Sequence, residues 1–176
     1  MKFTKHSKTG APGSSDTLTQ QTIATFSVRD EAIAAVKKAR LPIPKRPTDA
    51  EGTPIVPKLP QELANATGMI LARLLAQYTG LSDYAGYATA LADIDLSTAT
   101  QVYEHVLATV RLQKTGSVQE RTDKALTDPR VRSAARHYYS AEALAKLTNA
   151  LSRSYERDLA TVSREVTRRG QEEKRT

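Results

Sequence analysis

Residues 127–170 read TDPRVRSAARHYYSAEALAKLTNALSRSYERDLATVSREVTRRG. Asp128 followed by Pro129 is a strong helix start. The carboxylate can accept from the free N–H groups of a first turn, and proline suits the first helical position because it has no N–H to satisfy. Gly170 is a natural left-handed stop. Leu144, Leu147, Leu151, Tyr155, Leu159, Val162 and Val166 lie between them at steps of three, four and seven. On an ideal wheel they stay within an arc of roughly 120°. Near-heptad spacing predicts pairing with another long helix, so this stripe is expected to serve as core or oligomer contact.

The partner lies upstream. From Pro60, well placed to open a helix, to about Thr115, Leu71, Leu74, Tyr78, Leu81, Ala85, Ala88 and Leu91 follow three- and four-residue steps, and Val102, Val106 and Val110 continue them. Gly68, Gly80 and Gly86 weaken the early part by about 1 kcal/mol each. Asp95-Leu-Ser-Thr98 could cap a second segment, so one bent helix and two consecutive ones both stay open. Gly116 ends the run, and Ser117–Ala125 reads as a short helix. The expected fold is all-α: an antiparallel, coiled-coil-like hairpin of long helices over residues 60–170. The charged residues 171–176 form a frayed tail.

Residues 1–59 read as a basic arm, flexible or bound to a partner. The first 26 are polar and aperiodic, as in a flexible segment. Ser27 with Asp30 resembles a helix cap, and Asp30–Arg40 reads as a short helix with Ile33 and Val36 on one side. Pro42, Pro44, Pro47, Pro54 and Pro57 then favour an extended linker.

Hydrophobic residues make up 39% of the chain and aromatics 5%, a modest core that two long helices with one apolar stripe each can satisfy. With no cysteine, disulfides and thiolate metal sites are excluded. No apolar run approaches the roughly 20 residues of a membrane span, and the N-terminus has no signal-like apolar stretch. The expected setting is the host cytoplasm or a virion, without secretion.

No catalytic residue, metal site or cofactor is read from the sequence, and the chain is not expected to be an enzyme. His105 and His137 have no ligand-like neighbour at helical spacing, and His6 lies in the arm. Phosphate-binding glycine motifs are absent. Asp83, Asp93, Asp95 and Glu104 read as a solvated helix face, because catalytic carboxylates need a cleft that shifts their pKa values.

The net charge is +7, unevenly spread. Residues 1–59 carry 10 basic against 5 acidic side chains, residues 60–116 carry 3 against 5, and residues 117–176 carry 13 against 9. On the last helix Lys146, Arg153, Arg157, Arg164 and Arg168 fall about 180–240° from Leu144, a ridge roughly 33 Å long opposite the apolar stripe. Arg153/Arg157 and Arg164/Arg168 are like-charge pairs four residues apart, which cost an isolated helix a few tenths of a kcal/mol. A helix shaped only for solubility would interleave glutamates there. Arginine also suits bidentate phosphate contact. Polyanion contact is the favoured reading, with a solvated face and an acidic protein partner as competitors. Tyr78, Tyr84, Tyr87, Tyr138 and Tyr139 are secondary candidates for base stacking, against the commoner role of core packing.

The Asp128-Pro-x-Val131 start and the Ser163-Arg-Glu-x-Thr-Arg-Arg169 end resemble small helical proteins of tailed phages that infect actinobacteria. More distantly, residues 68–169 are similar in architecture to the UvsY recombination mediators of phages. That resemblance implies a ring-forming oligomer that binds single-stranded DNA and helps load a recombinase, with basic contacts carried over to Arg153, Arg157, Arg164 and Arg168. The Pro-rich arm and the glycines of the first long helix depart from the mediator pattern. Three readings result: an oligomeric nucleic-acid-binding accessory protein, a phage structural or packaging protein (capsid-associated or small-terminase-like) that assembles through its arm, and a protein-interaction adaptor. A homo-oligomer is expected in each, because a two-helix hairpin would leave Tyr103, Leu107 and Tyr139 uncovered.

Overall fold

In the computed structural model, which describes residues 28–175, the chain folds as helices alone: α1 (Val28–Lys38), a 3-10 turn (Leu63–Asn65), α2 (Gly68–Leu112), α3 (Val118–Leu126) and α4 (Pro129–Glu173). The expected all-α hairpin is present. Helices α2 and α4, each 45 residues, pack antiparallel: Leu71, Leu74 and Tyr78 near the start of α2 meet Val162 near the end of α4, while Val110 at the end of α2 meets Val131 at the start of α4. The arm segment 1–26 and the Ser27 cap lie outside the described residues.

α2 is one uninterrupted helix. Asp95 lies in its middle rather than at a cap, and the hydroxyls of Thr98 and Thr100 donate back to the carbonyls of Ile94 and Leu96. Pro60 does not open it. Thr67 is the N-cap, its Oγ1 accepting from Ile70 N, and residues 60–66 form an extended entry and the 3-10 turn. Gly116, at φ 121°, makes the turn after α2 in a conformation costly for any other residue. Ser117 and Glu120 then close a capping box on α3.

Asp128 and Pro129 start α4 as their sequence predicts, Asp128 Oδ1 accepting from Arg130 N. Gly170 does not stop it. The helix runs on to Glu173, so the first half of the expected frayed tail is helical. Arg168 bridges Glu165 and Glu172 across that glycine, and such three- and four-residue ion pairs favour continued helix.

The core has two apolar ends and a small-residue middle. Leu71, Leu74, Tyr78 and Val162 form one end, with Leu59, Leu63, Tyr155 and Leu159 packed on it. Val110, Ala125 and Val131 form the other. There Tyr103 and Leu107, expected to be uncovered, are half-buried, and Tyr103 stacks on Tyr138 at 5.8 Å. Between the two ends the buried residues are Leu81, Ala85, Ala92 and Val102 on α2 and Ala134, Ala145 and Ser152 on α4, mostly small.

That seam corrects the apolar stripe. Val162 is buried, and Tyr155 and Leu159 are half-buried. Leu144, Leu147, Leu151 and Val166 are exposed. The residues of α4 that face α2 are Val131, Ala134, Tyr138, Ala141, Ala145, Thr148, Ser152, Tyr155, Leu159 and Val162, a strict alternation of three and four. The leucines dominate the hydrophobic pattern, but the helices close on each other over the smaller Ala145, Thr148 and Ser152, so the stripe and the seam coincide only at Tyr155, Leu159 and Val162.

The described part of the arm lies on its own hairpin. Arg29 pairs with Asp95 at 2.7 Å, and the Tyr78 hydroxyl donates to the Pro57 carbonyl. Pro47 sits so close to Gly80 that an added Cβ would meet its ring at 3.0 Å, which gives that glycine a packing reason. Residues 47–55 are not simply extended. Asp49 Oδ1 accepts from Glu51 N and Thr53 N, Gly52 takes φ 83°, and Ile55 N donates to the Pro47 carbonyl, closing a tight turn.

Candidate nucleic-acid interface on the last helix

Lys146, Arg153, Arg157, Arg164 and Arg168 are all exposed. Each lies off the three-and-four seam that meets α2, so the ridge runs over the flank and back of α4. Its members are not equivalent. Lys146 donates to Glu142 at 2.7 Å, and that carboxylate raises its pKa by hydrogen bond and charge. Arg168 is held between Glu165 at 2.7 Å and Glu172 at 2.5 Å, which raises its pKa further. Arg157 donates to the Ser154 hydroxyl at 3.5 Å. Arg153 and Arg164 have no acidic side chain within ion-pair distance among the described residues. The free charge is therefore concentrated at Arg153, Arg157 and Arg164.

Two residues missed in the sequence extend the surface. Arg132 and Arg136 are exposed on the first turns of α4, and Arg132 is two heptads before Lys146 on the same helical position. That spacing is the signal that could have found them.

Arg169, next to the ridge in sequence, has a different role. It is half-buried, it donates Nη2 to the carbonyls of Leu63 and Ala64 at 3.0 and 2.9 Å, and it pairs with Glu165 at 2.7 Å. It pins the end of α4 to the entry of α2. Glu165 serves both arginines, and their hydrogen bonds, Arg168 first, lower its pKa to about 2.

The other candidates fall where packing explains them. Tyr78 is buried, and burial ahead of the charges of Asp158 and Tyr155 raises its pKa. Tyr84, Tyr87 and Tyr138 are half-buried. Tyr139 alone of these five is exposed, tilted against Tyr138 at 5.2 Å. Asp83, Asp93 and Glu104 are exposed on α2. Among the described residues no group of three or more acidic or histidine side chains could hold a metal ion. None of their helices is long and apolar enough to cross a membrane.

The arrangement can offer guanidinium groups along a rigid rod, with acidic side chains exposed on the other long helix, and an open groove lined by Asp93, Leu96, Glu142 and Asn149 runs beside Lys146 and Arg153. Compared with protein-family models, curated proteins and solved structures, the chain finds no match.

Proposed function

We propose that this chain is a non-enzymatic nucleic-acid-binding accessory protein of a phage, acting as a homo-oligomer and contacting the backbone of single-stranded DNA through α4, in the manner of a recombination mediator. One observation carries the reading: among the described residues, Arg153, Arg157 and Arg164 are exposed along one rod without acidic partners. Like charges so placed repel one another, and a phosphate chain relieves that repulsion. Binding of this kind depends little on sequence and strongly on salt.

The test is single-strand binding at two salt concentrations by the parent and by an Arg153→Glu, Arg157→Glu, Arg164→Glu variant. Three to five phosphate contacts predict an affinity loss of about 20- to 100-fold between about 50 and 200 mM salt. The variant is expected to lose binding and keep its helix content. A parent that fails to bind at low salt removes this reading. The second reading, a capsid-associated or small-terminase-like phage protein, then takes its place, favoured by an arm built with its own turn and contacts.

A further inference from the structure

Leu147 is 70% exposed on α4, with Leu144 at 47% and Leu151 at 49% beside it. Three leucines three and four residues apart form one contiguous apolar patch, on a helix whose own seam in this region is alanine, serine and threonine. We infer that a second copy of this chain covers the patch, the two α4 helices packing antiparallel about Leu147.

Size complementarity supports this pairing. In an antiparallel register centred on Leu147, Leu144 meets Ala150 of the second copy, Leu151 meets its Ala143, and Ser140 meets its Ser154. Ala143, Ala150 and Ser140 are exposed, so large side chains pack over small open ones, as helix pairs require.

Charge selects the direction. A parallel pairing would also match leucine with leucine, but it would set Asp158 on Asp158 and Arg136 on Arg136. The antiparallel pairing sets Asp158 against Arg136 of the second copy. Arg136 is exposed and Asp158 half-buried. Arg130 and Glu165, farther out, already hold partners within each chain, so Arg136 and Asp158 decide. Their attraction is screened as salt rises while the leucine contact is not, so salt weakens this pairing less than it weakens phosphate contact. The pairing does not rest on the nucleic-acid reading.

The face from Arg136 to Asp158 is about 33 Å long and about 10 Å wide. That is less than the roughly 800 Å² per partner of a standard stable interface, so the dimer is reversible and its mass must be followed over a concentration series.

The chain has no cysteine, so introduced ones report alone. Leu147→Cys is expected to form disulfide-linked dimers under mild oxidation, since the residue meets its own counterpart. Ser140→Cys by itself is not, because its counterpart lies about 21 Å away along the axis. Mixed with Ser154→Cys it should cross-link. By light scattering without nucleic acid, the parent is expected to approach twice the monomer mass. A Leu144→Ser, Leu147→Ser, Leu151→Ser variant should stay at monomer mass with unchanged helical circular dichroism. The inference is overturned by a parent that stays monomeric throughout, by a triple variant that keeps the dimer mass, or by Ser140→Cys linking alone as fast as in the mixture.

Discussion

Asp128 joins three jobs in one carboxylate. It caps α4 through Arg130 N, it accepts from the Arg130 guanidinium at 3.1 Å, and it takes Lys114 Nζ from the turn after α2 at 3.3 Å. Its side chain is 9% exposed. The hydrogen bonds from Arg130 come first in holding its pKa well below the ordinary carboxylate range. A carboxyl whose pKa is lower folded than unfolded leaves the unfolded chain to take up the proton first. The stability it contributes is therefore complete above about pH 4 and lost as pH falls through the folded value. Asp128→Ala is expected to cost about 1–2 kcal/mol at neutral pH, as for other lost caps. It should also flatten the acid limb of the stability curve, read by urea unfolding at stepped pH. A variant whose acid limb matches the parent's would move the acid sensitivity elsewhere, with Glu165, lowered to about 2 by Arg168 and Arg169, the next group to test.

At the scale of the elements, the question is which side of α4 faces α2. Ala145 and Ser152 are buried in that seam, while Leu147 between them is not. Ala145→Leu adds three carbons where two helix backbones approach closely, and overpacking of that kind costs about 1–3 kcal/mol. Leu147→Ala removes a larger side chain from an exposed position and should change monomer stability by less than about 0.5 kcal/mol. Thermal unfolding of the two variants, at concentrations where the chain is monomeric, checks the ordering; the reverse order would put the leucine stripe in the core. This pair also marks what was legible in the sequence. The Asp128-Pro129 start, the Gly116 turn and the two long helices could be read because caps and glycines act locally. The exposure of the basic ridge could be read because arginines without partners stay in water. The seam could not, because a row of leucines outweighs a row of alanines in any hydrophobic pattern, although small residues are what let two helices close on each other. Arg169 was illegible for another reason. Its acceptors, the carbonyls of Leu63 and Ala64, are more than a hundred residues away, and no local pattern reports them.

For the whole molecule, the issue is what the arm does for a two-helix rod. Two helices alone cover each other along one line, and the cluster of Leu71, Leu74 and Tyr78 still needs a lid. Leu59 and Leu63 pack on that cluster, and the Pro57 carbonyl accepts from Tyr78. Farther along, Pro47 fits the notch at Gly80, and Arg29 holds Asp95. The last contact adds little, since an ion pair this exposed is worth under about 1 kcal/mol. The apolar cover and the hydrogen bond matter more. Losing most of one leucine's burial and one part-buried hydrogen bond costs about 3 kcal/mol in all. For a chain of this size that is a fall in Tm of about 6–12 °C. Deleting residues 28–60 is expected to produce that fall and to leave single-strand binding intact, because every ridge residue remains on α4. An unchanged Tm would mean the arm rests on the hairpin without bracing it. A normal fall in Tm joined to lost binding would make the arm part of the nucleic-acid surface. In that case Lys45, Arg46 and Lys58, all exposed along it, would be the residues to neutralise next.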